Sequence, residues 1–166
     1  MADDKIKKFN LGILTISDTG SQGRRQDTSG DAISEIMSHE GFVEVVREIV
    51  PDERDVISAK LKEWCDGGAL DLVLTTGGTG LGPRDVTPEA TREVLEFEVP
   101  GIAEAMRLQT LKNTPFAMLS RSTAGLRSGC LIVNLPGSEK AVRETLPVAV
   151  EAIPHGLQML KGWRMH

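Results

Sequence analysis

The chain has no tyrosine, and only four phenylalanines and two tryptophans, among its 166 residues. That leaves no aromatic platform on which successive nucleic-acid bases could stack. It has two cysteines, Cys65 and Cys130, and three histidines. Their spacing matches neither a zinc motif nor a disulfide framework, so neither is expected. No apolar run approaches the roughly 18 residues of a membrane span. The opening segment, MADDKIKKFN, lacks an apolar stretch and does not read as a secretory signal. The expected location is the cytoplasm. Positive charge is also scarce: 19 Lys/Arg against 24 Asp/Glu give a net charge of −5. Such a chain is a poor general partner for nucleic acid.

What is present describes an ordinary globular chain, 40% apolar and 26% charged. Its length suits one domain, residues 1–166, able to bury a core without a disulfide or structural metal. Short β-rich runs alternate with helical ones, the signature of an α/β sandwich. Strands are expected at Phe9–Ile16, Phe42–Val50, Leu70–Thr76, Phe116–Leu119 and Cys130–Asn134. Helical spacing is expected through Ile33, Ile36 and Met37, ending near Gly41, and again through Val56 to Trp64, ending at Gly67-Gly68. Further helices open at Thr87-Pro88-Glu89, at Pro100-Gly101 and after Ser138. Pro147 and Pro154 are expected to break the C-terminal stretch. Trp64 and Trp163 read as packing residues.

Charge is unevenly spread. Residues 107–143 carry six basic residues (Arg107, Lys112, Arg121, Arg127, Lys140 and Arg143) against Glu139 alone. This segment reads either as a solvated basic face or as a local anion site on an acidic protein.

Three loops carry candidate chemistry. Thr75 to Asp85, TTGGTGLGPRD, follows a buried strand directly. Glycines there let backbone N–H groups approach a ligand, and strand ends are where α/β sheets bind ligands. The loop is not a Walker A motif, because Pro83 stands where lysine is needed. It fails the G-x-G-x-x-G dinucleotide fingerprint for the same residue. The second loop, Asn134-Leu135-Pro136-Gly137-Ser138, reads either as a helix cap or as amides facing an anion. The third, Ser120-Arg121-Ser122, offers hydroxyls and a guanidinium to phosphate oxygens, or is an exposed polar turn. Asp52 reads first as an N-cap and second as a metal ligand.

Taken together, these segments resemble the MogA/MoaB family of molybdenum-cofactor synthesis. The resemblance is carried by TTGGTGLGPRDVTPEAT, PGIAEAMR, TPFAMLSRSTAGLR and LIVNLPGS, with Ser17-Asp18 and the VPDE of Val50 to Glu53. It spans the chain from about Leu11 onward and is nearest to the MogA type and to the G domain of gephyrin. The resemblance implies a three-layer α/β/α sandwich with a mostly parallel central sheet, assembled as a homotrimer. It implies molybdopterin adenylyltransferase activity: AMP passes from ATP to molybdopterin, with Mg²⁺, and pyrophosphate leaves. It places the essential aspartates, and the candidate Mg²⁺ ligands, at Asp52 and Asp85. Nucleotide or pterin contacts fall on Ser17, Asp18, Thr76, Gly77, Gly78, Thr79, Ser120, Arg121, Asn134, Pro136, Gly137 and Ser138. Arg121 and Arg127 are expected to offset phosphate charge, and the product to pass to a metal-insertion enzyme. The alternatives are a catalytically inactive pterin-binding or scaffold member of the MoaB type, and a different nucleotide enzyme, such as a pyrophosphatase.

Overall fold

Alternation along each strand decides which residues face which layer. The computed structural model describes residues 8–162; Trp163 lies outside them. In β1 (Asn10–Ile16), Leu11 and Ile13 enter one hydrophobic core while Leu14 and Ile16 enter another. β3 (Leu72–Thr76) and β6 (Cys130–Leu135) divide in the same way: Leu72, Leu74, Leu131, Val133 and Leu135 on the first face, Val73 and Ile132 on the second. Strands apolar on both faces are those of a parallel sheet covered by helices on both sides.

The first face is covered by α2 (Thr28–His39), α5 (Pro100–Thr110), α6 (Glu139–Val150) and α7 (Ile153–Leu160). The second is covered by α3 (Arg54–Asp66) and α4 (Thr87–Val94). The result is the expected α/β/α sandwich. The sheet also contains β2 (Val43–Val50), β4 (Phe97–Glu98) and β5 (Ala124–Arg127), and its order is β2-β1-β3-β6-β5-β4. β2, β1, β3 and β6 are parallel; β5 runs antiparallel to both β6 and β4. The chain turns outward in opposite directions from β1 and β3. Their C-terminal ends are therefore a topological switch point, where such sheets leave a crevice.

Local rules account for several boundaries. α2 ends at Glu40 with Gly41 at φ +80°, and α3 gives way to Gly67 and Gly68. Four expectations need correction. Phe116–Leu119 is not a strand but part of a 3-10 turn, Pro115–Leu119, whose start Thr114 caps by accepting from the Phe116 N–H. Its side chains project outward: Phe116 is 74% and Met118 67% exposed, so the run has no sheet to join. Pro147 does not interrupt α6; the break falls after Val150, and Pro154 lies in the first turn of α7, where a missing N–H costs nothing. Asp52 is not the cap of α3, because Glu53 occupies that position. α4 opens at Thr87 as expected, but Thr87, read from sequence as the cap of that opening, falls inside the first turn, after Val86.

Candidate active site

The four parallel strands end on one side of the sheet and hand their chains to the loops singled out by sequence. β1 leads to Ser17 and Asp18, β2 to Asp52, β3 to Gly77 and Gly78, and β6 to Pro136, Gly137 and Ser138. Gly77 must be glycine. Its φ is +103°, and a Cβ there would stand 2.3 Å from the Ile16 carbonyl oxygen. Gly78 has φ +66°, and its missing Cβ leaves room for Thr87 Oγ1 and, at 3.2 Å, for Asp52 Oδ1. The loops are tied together by Gly77 N–H donating to Leu135 O at 3.2 Å and Thr76 Oγ1 donating to Pro136 O at 2.6 Å.

Two clefts meet at this ridge. The first, about 350 Å³, is lined by Ser17, Asp52, Thr76, Gly77, Gly78, Gly137 and Ser138, with a wall from Arg25 to Ser29. The second, about 370 Å³, lies beyond Thr79 and Pro136 and is bounded by Met106, Phe116, Leu119, Ser120 and Ser122. Gly78 and Gly137 thus face one cleft while their neighbours Thr79 and Pro136 face the other.

Asp52 and Asp18 hold one another. Asp18 N–H donates to Asp52 Oδ2 at 2.9 Å, and Asp52 N–H donates to Asp18 Oδ1 at 3.0 Å. Arg84 then clasps Asp18, which keeps the Asp18 carboxyl below the usual carboxylate range. Burial, reinforced by the charges of Asp18 and Asp85, pushes the Asp52 carboxyl up. Asp85 Oδ2 accepts from Gly82 N–H at 2.9 Å, closing a tight turn. Each of these two carboxylates has one oxygen fixed by a loop amide. The other, Oδ1 in both, accepts no hydrogen bond among the described residues.

Several residues expected to meet a ligand have their polar groups committed within the protein. Asn134 is fully buried: Nδ2 donates to Thr75 Oγ1 and Thr91 Oγ1, and Oδ1 accepts from Thr123 N–H. It lines neither cleft, so its expected nucleotide contact is corrected to an internal anchor of β6. Arg121 is spent on the glycine loop, donating to Gly80 O and Asp85 O at 2.8 Å each and pairing with Glu89. Arg127 pairs with Asp66 beside the start of β6, at the opposite end of the sheet from the clefts, which corrects its expected phosphate role. Arg107 and Arg143 are also bound, to the Ser120 and Ser122 carbonyls and to Glu35 and Glu139. The basic segment is therefore dispersed rather than gathered into one anion site. Ser17 and Ser138 cap α1 (Asp18–Ser21) and α6, accepting from Gly20 N–H and Ala141 N–H. Ser120 shares a hydrogen bond with Ser122 at the second cleft.

Sequence reasoning missed Asp27 and Arg84. Asp27 caps α2, accepts from Thr15 Oγ1 and pairs with Arg47 in the wall of the first cleft. Its signal, an Asp directly before a helical period, was hidden in what reads as one polar loop from Ser17 to Thr28. Among the described residues, no group of three or more His, Cys, Asp or Glu could hold a metal unaided.

This geometry has close counterparts. The family described as probable molybdopterin binding domain matches residues 12–155. A molybdopterin adenylyltransferase of Helicobacter pylori is 45% identical over 159 residues, covering 95% of this chain and 90% of its own. The molybdenum cofactor synthesis protein cinnamon of Drosophila melanogaster is 44% identical over 157 residues; the match takes in 93% of this chain but 26% of that longer protein. The crystal structure of the molybdopterin biosynthesis enzyme MoaB of Thermus thermophilus superimposes with a TM-score of 0.88 at 52% identity, covering 94% of this chain and 99% of that one. With the family matching residues 12–155 and relatives 45–52% identical over nearly the whole chain, the chain belongs to the MogA/MoaB family.

Proposed function

We propose that this protein is a molybdopterin adenylyltransferase, transferring AMP from ATP to the terminal phosphate of molybdopterin and releasing pyrophosphate. The observation that carries this reading is the meeting of two clefts at the paired loops Gly77–Thr79 and Pro136–Ser138, with Asp52 beside the junction. A bisubstrate transfer needs two molecules held end to end at one bond. ATP takes the first cleft, under the Gly77-Gly78 turn. Molybdopterin takes the second, whose wall of Met106, Phe116 and Leu119 suits a flat ring and whose Ser120 and Ser122 hydroxyls suit its phosphate.

Both substrates are anionic. The attacking phosphate must approach the α-phosphate against like charge. Loop N–H groups at the ridge supply part of the compensation. Asp52, in the lining of the first cleft, and Asp85, on the adjoining loop and close enough for its charge to act on Asp52, would supply the rest by holding Mg²⁺. Each offers one uncommitted oxygen, and Mg²⁺ takes one or two carboxylates with the remainder from phosphates and water. The chemistry Mg²⁺ would supply there is the offsetting of phosphate negative charge. The chain's own contribution is to orient and to exclude. Gly77 and Gly78 let the backbone approach, Arg121 stiffens the loop from behind, and the reciprocal Asp18–Asp52 pair fixes the carboxylate. No protein nucleophile is required, because the attacking oxygen belongs to molybdopterin.

The reading includes a trimer, supported by an exposed apolar group of Leu81, Phe116, Met118 and Leu119 around the second cleft. It also includes cytoplasmic location and delivery of the product to a metal-insertion enzyme; the free, buried thiols of Cys65 and Cys130 agree with a reducing compartment. Among the described residues, no helix is long and apolar enough to cross a membrane. The test is a panel of nucleoside triphosphates with and without molybdopterin, assayed for pyrophosphate. Release with ATP only when pterin is present supports transfer. Pterin-independent release marks a pyrophosphatase, and no release marks a binding-only protein.

A further inference from the structure

Arg84 belongs to no phosphate motif, yet it touches both halves of the site. Its guanidinium clasps Asp18 with two hydrogen bonds, Nη2 to Oδ1 at 3.0 Å and Nε to Oδ2 at 3.1 Å. Asp18 is locked in turn to Asp52 by reciprocal backbone-to-carboxylate bonds of 2.9 and 3.0 Å. Asp85 is the next residue along the chain. Arg121 holds the Gly80–Asp85 loop from the side of α4. Among the described residues, the hydrogen bonds that tie this loop to the ends of β1 and β2 are those of Arg84.

We propose that Arg84 is a positioning residue that sets the spacing of Asp52 and Asp85, acting through Asp18. The inference rests on the adenylyl-transfer reading of the same site. Two carboxylates that serve one Mg²⁺ must present oxygens at a fixed separation, because that ion demands near-ideal octahedral geometry. Left alone, their like charges and the exposed loop bearing Asp85 would let them drift apart. A planar fork gripping both oxygens of Asp18 removes that freedom in a way a point charge cannot. The role is geometric rather than stabilising. The Arg84 side chain is 58% exposed, and an ion pair that open to solvent contributes little to folding.

The experiment is calorimetric titration with α,β-methylene ATP, with Mg²⁺ and with EDTA, on the wild type, Arg84→Lys, Arg84→Gln and Arg84→Gln/Asp18→Asn. Both single variants should lose about tenfold of the Mg²⁺-dependent gain in affinity, the size expected for a residue supporting metal ligands. Binding in EDTA and the melting temperature should be unchanged. The double variant should be no worse than Arg84→Gln, because both changes cut one link. Full recovery in Arg84→Lys would show that charge alone matters and overturn the proposal. So would an equal loss in EDTA, which marks a direct phosphate contact, or an unaltered Arg84→Gln. A wild type that shows the Mg²⁺ gain, and loses it in the variants, but forms no adenylylated pterin would retire the reaction and keep the positioning role. A wild type with no Mg²⁺ gain would overturn both.

Discussion

Asp85→Asn keeps the size of the side chain and an oxygen able to accept from Gly82 N–H, but removes the negative charge. A turn role tolerates that exchange, because Asn and Asp serve nearly equally there. A role toward Mg²⁺ does not, because a neutral amide is a poor partner for a hard dication. Turnover should fall at least about 100-fold, roughly 2.7 kcal/mol of transition-state stabilisation, with little change in melting temperature. Steady-state pyrophosphate release at saturating Mg²⁺ measures the first and calorimetry the second; near-normal turnover would leave Asp85 a turn residue. Asp52 makes a contrasting case. Its carboxyl is pushed up by burial and by Asp18 and Asp85, so its ionised form costs the folded state free energy. That cost is absent below the unfolded pKa and is fully present once pH has risen through the folded one. Asp52→Asn should therefore lose activity while melting at or above the wild-type temperature at pH 7, with the difference shrinking as pH falls toward about 4. A variant that melts clearly lower at pH 7 would contradict this.

At the scale of elements, β6 shows how a polar residue in a central strand fixes a site without touching its ligand. Asn134 joins β6 to Thr75 of β3, to Thr91 of α4 and to Thr123 before β5. Asn134→Ala leaves the Thr123 N–H unpaired in the interior and empties the side-chain volume. The cost should be about 2–4 kcal/mol in chemical denaturation, from lost hydrogen bonds and the space left behind. A loss below about 0.5 kcal/mol would mean the network does not anchor the strand. The same element marks the limit of what sequence makes legible. β1, β3 and β6 show as apolar runs and β2 as a β-branched run stopped by Pro51, and the Gly77 and Gly137 loops show as breaks directly after strands. β4 and β5 are short and mixed, Phe97–Glu98 and Ala124–Arg127, and are recognisable only by their antiparallel partners. Phe116–Leu119 is apolar for a surface rather than for a sheet, a difference that composition does not encode. For the site, residue types and loop positions are readable. Which of them face a cleft is not: Asn134 sits in a ligand-like motif yet points inward, and Arg84 acts from outside the glycine motif proper.

For the whole molecule, the exposed apolar side chains lie on several elements, Leu108, Met159 and Phe97 among them, and one group of them gathers at the second cleft. Phe116 is 74%, Met118 67% and Leu81 67% exposed, all close to the second cleft. Such a patch suits the proposed assembly. Light scattering at micromolar concentration should give the mass of a trimer. Phe116→Asp, at an exposed position with no folding role, should shift it toward the monomer without lowering the stability of the isolated fold. A wild-type monomer would contradict the proposed assembly. The central claim concerns which bond of ATP breaks. The direct measurement uses ATP labelled at the α-phosphorus, incubated with molybdopterin, Mg²⁺ and the wild-type protein, with products separated by charge. The account predicts that label moves into a pterin-containing product, that unlabelled pyrophosphate appears in equal amount, and that neither forms without pterin. Label recovered in ADP, or in AMP formed without pterin, would contradict it.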